Sequence, residues 1–154
     1  MYTMSGGCHC GNIRLELALT RAPGDYAPRE CDCEFCRKHG AAYVSDPHGS
    51  LLVRVRDEGQ SSRYRHGSGQ AEMLLCRTCG VLVGALYRDG ARLYAAVNAR
   101  AAGAQFGAPQ PVSPRTLSDD EKVRRWKELW FSAVSTQADE GLATASSSAP
   151  TGST

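Results

Sequence analysis

Apolar and polar residues alternate along Ile13-Arg14-Leu15-Glu16-Leu17-Ala18-Leu19, the period-2 signature of a strand with one buried face. The turn-forming run Arg21-Ala22-Pro23-Gly24-Asp25 ends it. Further strands are predicted at residues 41–45, 51–56, 63–66, 72–75, 81–87 and 92–97. Asp57-Glu58-Gly59 reads as an exit turn, Gly67-Ser68-Gly69 as a turn between two strands, and Arg88-Asp89-Gly90 as a hairpin. Many short strands with turns between them define a mainly β domain. Residues 101–114, rich in Ala, Gly and Pro, read as a loop. Ser118-Asp119-Asp120-Glu121 is a capping-box pattern opening a C-terminal helix at about 118–134. Val123, Trp126, Leu129, Trp130 and Ala133 form its apolar stripe, which docks on the sheet or, with an exposed Trp pair, meets a partner. Lys122, Arg124, Arg125 and Lys127 read as its solvated face, and residues 135–154 as a disordered tail.

Composition sharpens this picture. The chain has 154 residues, enough for one domain, here residues 1–134. Leu, Val, Ile and Phe together number 26, about 17% of the chain, so the core is thin and a staple is expected. A net charge of +2 gives no support for a broad phosphate-binding surface, so no nucleic-acid partner is expected. No apolar run approaches the roughly 20 residues of a membrane helix. The opening Met1-Tyr2-Thr3-Met4-Ser5-Gly6-Gly7 lacks the basic and apolar regions of an export signal, so a cytoplasmic protein is expected.

The staple is written in the seven cysteines, which fall as Cys8-x-Cys10, Cys31-x-Cys33-x-x-Cys36 and Cys76-x-x-Cys79. Disulfides fit poorly with an odd count in a reducing compartment. Neither C-x-x-C pair sits in a thioredoxin-like strand-to-helix context, and the spacings differ from common iron–sulfur patterns. Closely spaced thiolates suit tetrahedral sulfur coordination of zinc. Seven divides into a closed structural site of Cys8, Cys10, Cys76 and Cys79 and an open, catalytic-type site of Cys31, Cys33 and Cys36. Seven thiolates and two zinc ions would take the net charge from +2 to about −1.

Three linked motifs resemble one family. Gly6-Gly7-Cys8-His9-Cys10-Gly11-Asn12-Ile13 is similar to the G-x-C-x-C-G-x-[VI] opening of the glutathione-dependent formaldehyde-activating enzymes, a family that includes centromere protein V. Cys31-Asp32-Cys33-Glu34-Phe35-Cys36-Arg37 and Cys76-Arg77-Thr78-Cys79-Gly80 resemble its C-x-C-x-x-C-R and C-x-x-C-G segments. The resemblance covers residues 5–100. It implies a zinc-stapled β-sheet domain of the type shared with methionine-R-sulfoxide reductases, and the same four-plus-three division of ligands. It also implies condensation of glutathione with formaldehyde, formally a carbon–sulfur lyase reaction on S-hydroxymethylglutathione. The chain departs from the pattern in three places. Asp32 stands where His is frequent, Leu75 where Phe is frequent, and Val97-Asn98-Ala99-Arg100-Ala101-Ala102-Gly103 replaces V-N-x-G-x-L-D.

An open three-thiolate site carries about −1 with zinc and favours a soft sulfur nucleophile, so the expected partners are a small thiol and an aldehyde. Asp32, Glu34 and His39 are sequence neighbours that could move a proton. Arg37 could pair with a substrate carboxylate or brace a zinc-loop carbonyl. His9 or His39 as a fourth ligand would close the site, while His48 and His66 receive no role. Methionine-R-sulfoxide reduction needs a nucleophilic cysteine on a late strand, and none follows Cys79. The alternative to an enzyme is a non-catalytic zinc module whose Trp126/Trp130 helix binds a protein.

Overall fold

The computed structural model describes residues 1–138. Along the chain run β1 (Tyr2–Gly7), β2 (Ile13–Leu19), β3 (Arg29–Cys31), α1 (Glu34–His39), β4 (Ala42–Val44) and β5 (Ser50–Val55). There follow β6 (Ser61–Tyr64), β7 (Ala71–Cys76), β8 (Leu82–Asp89), β9 (Arg92–Asn98), β10 (Gln110–Val112), α2 (Asp119–Leu129) and β11 (Ala133–Ala138). They form a four-stranded sheet, β1-β2-β5-β11, and a seven-stranded sheet, β10-β3-β4-β9-β8-β7-β6. The protein is mainly β with a C-terminal helix, as the sequence pattern predicts.

The alternation in β2 places Ile13, Leu15, Leu17 and Leu19 on one face, each at most 2% exposed. The antiparallel register sets Leu15 against Val53 and Leu17 against Leu51 of β5. These side chains pack on Leu74, Val83, Ala95 and Val97 of the larger sheet, making an inter-sheet core. Period 2 turns the other residues of β9, Tyr94 and Ala96, to the opposite face. There they join Cys36, Tyr43, Met73, Ala85 and Trp130 in a second core.

Helix α2 covers that second face. Ser118 caps it through the expected box: its hydroxyl accepts from Glu121 N, and the Glu121 carboxylate accepts from Ser118 N. Trp126 stacks on Trp130 at 5.1 Å and tilts against Tyr87 at 5.3 Å. Ser45 donates to the Leu129 carbonyl at 2.6 Å, satisfying one of the free acceptors at the helix end. Lys127 ties the outer side to Asp89 of the β8–β9 hairpin at 2.6 Å.

Two expectations are corrected here. The helix stops at Leu129 rather than 134, because Phe131 turns into the inter-sheet core, fully buried, and exchanges two backbone hydrogen bonds with Ala95. Ala133 therefore lies on a strand and not on the helical stripe. The expected disordered tail begins as β11, parallel to β5 in the register Val134↔Leu51 and Thr136↔Val53. Residues 139–154 of that tail lie outside the described residues.

Candidate metal centres

The first thiol group forms where two tight turns meet. Gly7 adopts φ 147°, and a Cβ there would collide with the Ile13 carbonyl oxygen as β1 folds back on β2. That turn presents Cys8 and Cys10, and the amide of Ile13 donates to Cys8 Sγ at 3.2 Å. The opposing turn joins Cys76, at the end of β7, to Cys79 through a hydrogen bond from Gly80 N to Cys76 O, with Gly80 at φ 78°. All four Sγ atoms lie within 4.8 Å of one another, with Cys8–Cys10 at 3.7 Å and Cys10–Cys76 at 3.5 Å. A tetrahedron of sulfurs around zinc has edges of about 3.8 Å, so a four-sulfur ion fits the set.

The second group is more local. Cys31 ends β3, Cys33 is the N-cap of α1, and Cys36 lies buried one turn further on. Cys33 Sγ accepts the Cys36 amide at 3.3 Å. The three Sγ atoms also lie within 4.8 Å of one another. As bare thiols they compete for one negative charge. Hydrogen bonding from Cys36 lowers Cys31 to about 6, and the same interaction, with burial, pushes Cys36 up. Tyr43 hydrogen-bonds Cys36 Sγ at 3.1 Å, and burial, then the charge of Cys36, raises its own pKa. Among the described residues this group holds three potential metal ligands and no fourth His, Cys, Asp or Glu.

Cys31, Cys33 and Cys36 open onto a cavity of about 190 Å³ between the larger sheet and α2. Tyr43, Met73, Ala85, Trp126 and Trp130 give it apolar walls, and Arg29, Arg115, Lys122, Arg125 and His66 add charge and an imidazole. The nominated neighbours of the triplet fare differently. Asp32 accepts from Ser113 at 2.6 Å and pairs with Arg115, and these contacts lower its pKa. Glu34 pairs with Lys38 on the surface, and the exposed His39 packs its ring against Phe35 at 4.7 Å. None of these three lines the cavity, nor does the exposed Arg37. Carbonyl bracing at the end of α1 comes instead from Arg100, which donates to Gly40 O at 2.7 Å. His9 is exposed and belongs to neither group.

Two corrections concern α2. Trp130 is buried and Trp126 half-buried against the sheet, so the pair is not an exposed docking surface. Lys122 and Arg125 are half-buried at the cavity, while Arg124 and Lys127 keep the expected solvated face. Reading along the chain also passed over Arg29, which shares β3 with Cys31, Tyr43, which arrives through the pairing of β4 with β3, and His66, which follows β6 and stacks on Phe35.

A mainly β domain with one four-thiol and one three-thiol group is thus a candidate two-metal protein. The family model for the glutathione-dependent formaldehyde-activating enzyme matches residues 3–116, and the chain belongs to that family. It also resembles the crystal structure of a Rhodobacter sphaeroides protein solved in a structural-genomics programme. The two share 34% identity over 64% of this chain and 86% of the other, with a TM-score of 0.50.

Proposed function

We propose that the protein is a zinc-dependent carbon–sulfur lyase-type enzyme acting on a thiol–aldehyde adduct such as S-hydroxymethylglutathione. One observation carries this reading: the incomplete thiol group, and not a sealed one, faces the apolar-walled cavity. Cys8, Cys10, Cys76 and Cys79 would hold a structural zinc ion, and Cys31, Cys33 and Cys36 the second. A zinc ion held by three thiolates offers one further vertex, to a sulfur or to an aldehyde oxygen.

The chain's own residues do the rest. Tyr43 donates to Cys36, spreading the negative charge of the triplet, and the walls from Met73 to Trp130 exclude water from the adduct. His66 is the imidazole lining the cavity, stacked on Phe35 at 4.7 Å. Burial, then the charge of Lys122, lowers its pKa, which favours the neutral imidazole that can accept a proton. In adduct cleavage the hydroxyl proton passes to His66. The carbonyl π bond forms, the C–S bond breaks, and its electron pair leaves on sulfur. Condensation is the reverse.

The test is direct. The purified protein should contain near two zinc ions per chain and interconvert glutathione plus formaldehyde with the adduct, followed by loss of free thiol. His66→Gln should lower kcat by about 100-fold and remove the acid limb of the pH profile. One zinc per chain, or no turnover over a range of thiols and aldehydes, sinks the reading.

A further inference from the structure

The cavity has more positive charge than the triplet explains. Arg29, Arg115, Lys122 and Arg125 all line it, and no Asp or Glu does. Arg115 is matched by Asp32. Among the described residues, Arg29, Lys122 and Arg125 have no carboxylate within ion-pair distance. Arg29 is the telling member. It is half-buried, and its guanidinium donates to Ser45 Oγ at 2.6 Å, a hydroxyl that itself donates to Leu129 O. Gathering partly buried cations in one place is costly, and a bound anion offsets that cost.

We propose that α2 makes this end of the cavity a subsite for a carboxylate carried by the substrate, with Arg29 and Arg125 as its partners, Lys122 adding charge, and Trp126 and Trp130 covering an adjacent apolar group. A guanidinium fork matches a carboxylate, and stacked indoles suit the methylenes beside it. Lys122, Arg125, Trp126 and Trp130 all lie on or just after α2, beyond residue 116, where the family match ends. The inference rests on the thiol–aldehyde reading only for what happens at the sulfur end.

Binding tests it without turnover. The chain has two tryptophans, both on the cavity, so their fluorescence reports occupancy. The full chain is titrated with S-methylglutathione, which cannot form the aldehyde adduct, and with its diethyl ester. The acid should bind about 10-fold or more tighter than the ester. Arg125→Gln and Lys122→Gln should each weaken the acid and leave the ester unchanged, with Arg125→Lys recovering part of the loss. Equal affinity for acid and ester, equal weakening of both by the variants, or inorganic phosphate binding as tightly as the acid would overturn the assignment. An acid-selective titration in a protein without turnover would sink the reaction and leave the subsite standing.

Discussion

Cysteines of identical chemistry have different structural duties. Cys76 is 1% exposed at the junction of the two turns, and its thiolate helps join segments 66 residues apart. A structural zinc site contributes on the order of 10–16 kcal/mol, as much as the entire stability of a typical domain, roughly 5–15 kcal/mol. Cys76→Ser should therefore give insoluble or unfolded protein. Cys33→Ser, in the cavity-facing triplet, should stay folded by circular dichroism while losing one metal equivalent and turnover. Asp46 offers a residue-scale test away from either centre. Its buried carboxylate accepts from Thr20 N, Thr20 Oγ1, Tyr26 Oη and His48 N, at 2.6–2.9 Å. Burial alone would raise its pKa, but these bonds outweigh burial and hold it well below the usual 3.8. A carboxyl depressed on folding stabilises the native state above its unfolded pKa and loses that contribution as pH falls through the folded value. Asp46→Asn should cost roughly 1–3 kcal/mol near pH 7, with the gap to wild type narrowing below about pH 4 in thermal melts.

Elements were legible where burial imposed a rhythm. β2, β5, β8 and β9 alternate or run apolar because each faces a packed core, and Ser118 and Glu121 announced α2 through local hydrogen bonding. β1, β3, β10 and β11 went unread because backbone pairing holds them with few buried side chains; β1 and β11 are largely exposed. β10 even contains Pro111, tolerated at a sheet edge, and its parallel pairing with β3 brings Ser113 and Arg115 to Asp32. Helix α1 was hidden because six residues make fewer than two turns, too few for an amphipathic pattern to repeat; its start is fixed by Cys33 acting as both cap and candidate ligand. The three-thiol group was readable from spacing, but the cavity was not, since Arg29, Tyr43, His66 and Arg125 converge from separate elements. Phe131 shows how such convergence is anchored. It links α2 to β11, and Phe131→Ala should lower unfolding free energy by about 3–5 kcal/mol in urea titrations. If it changes stability by less than 1 kcal/mol, the link is not what seats the helix.

At the scale of the whole molecule, the two sheets and the helix make three layers, and each thiol group sits at a different boundary. Cys8, Cys76 and Cys79 belong to the inter-sheet core, whereas Cys31, Cys33 and Cys36 belong to the face beneath α2. If the first boundary supplies cohesion and the second the reactive surface, as proposed, removing metal should act in two stages. Limited chelation should abolish turnover with secondary structure intact, and exhaustive chelation should unfold the chain. The reverse ordering would exchange the roles of the two groups.

The same layout gives the centres different birthdays. Cys31, Cys33 and Cys36 lie within six residues, while the other group waits for partners 66 positions apart, an added closure entropy of about 2 kcal/mol. On a ribosome the compact triad emerges and can capture its ion before Cys76 has been synthesised. A newborn chain in a metal-starved cell would thus spend its first ion on chemistry and lack the second for cohesion. Scarcity of zinc should then show itself as aggregation rather than as an accumulation of stable but inactive protein.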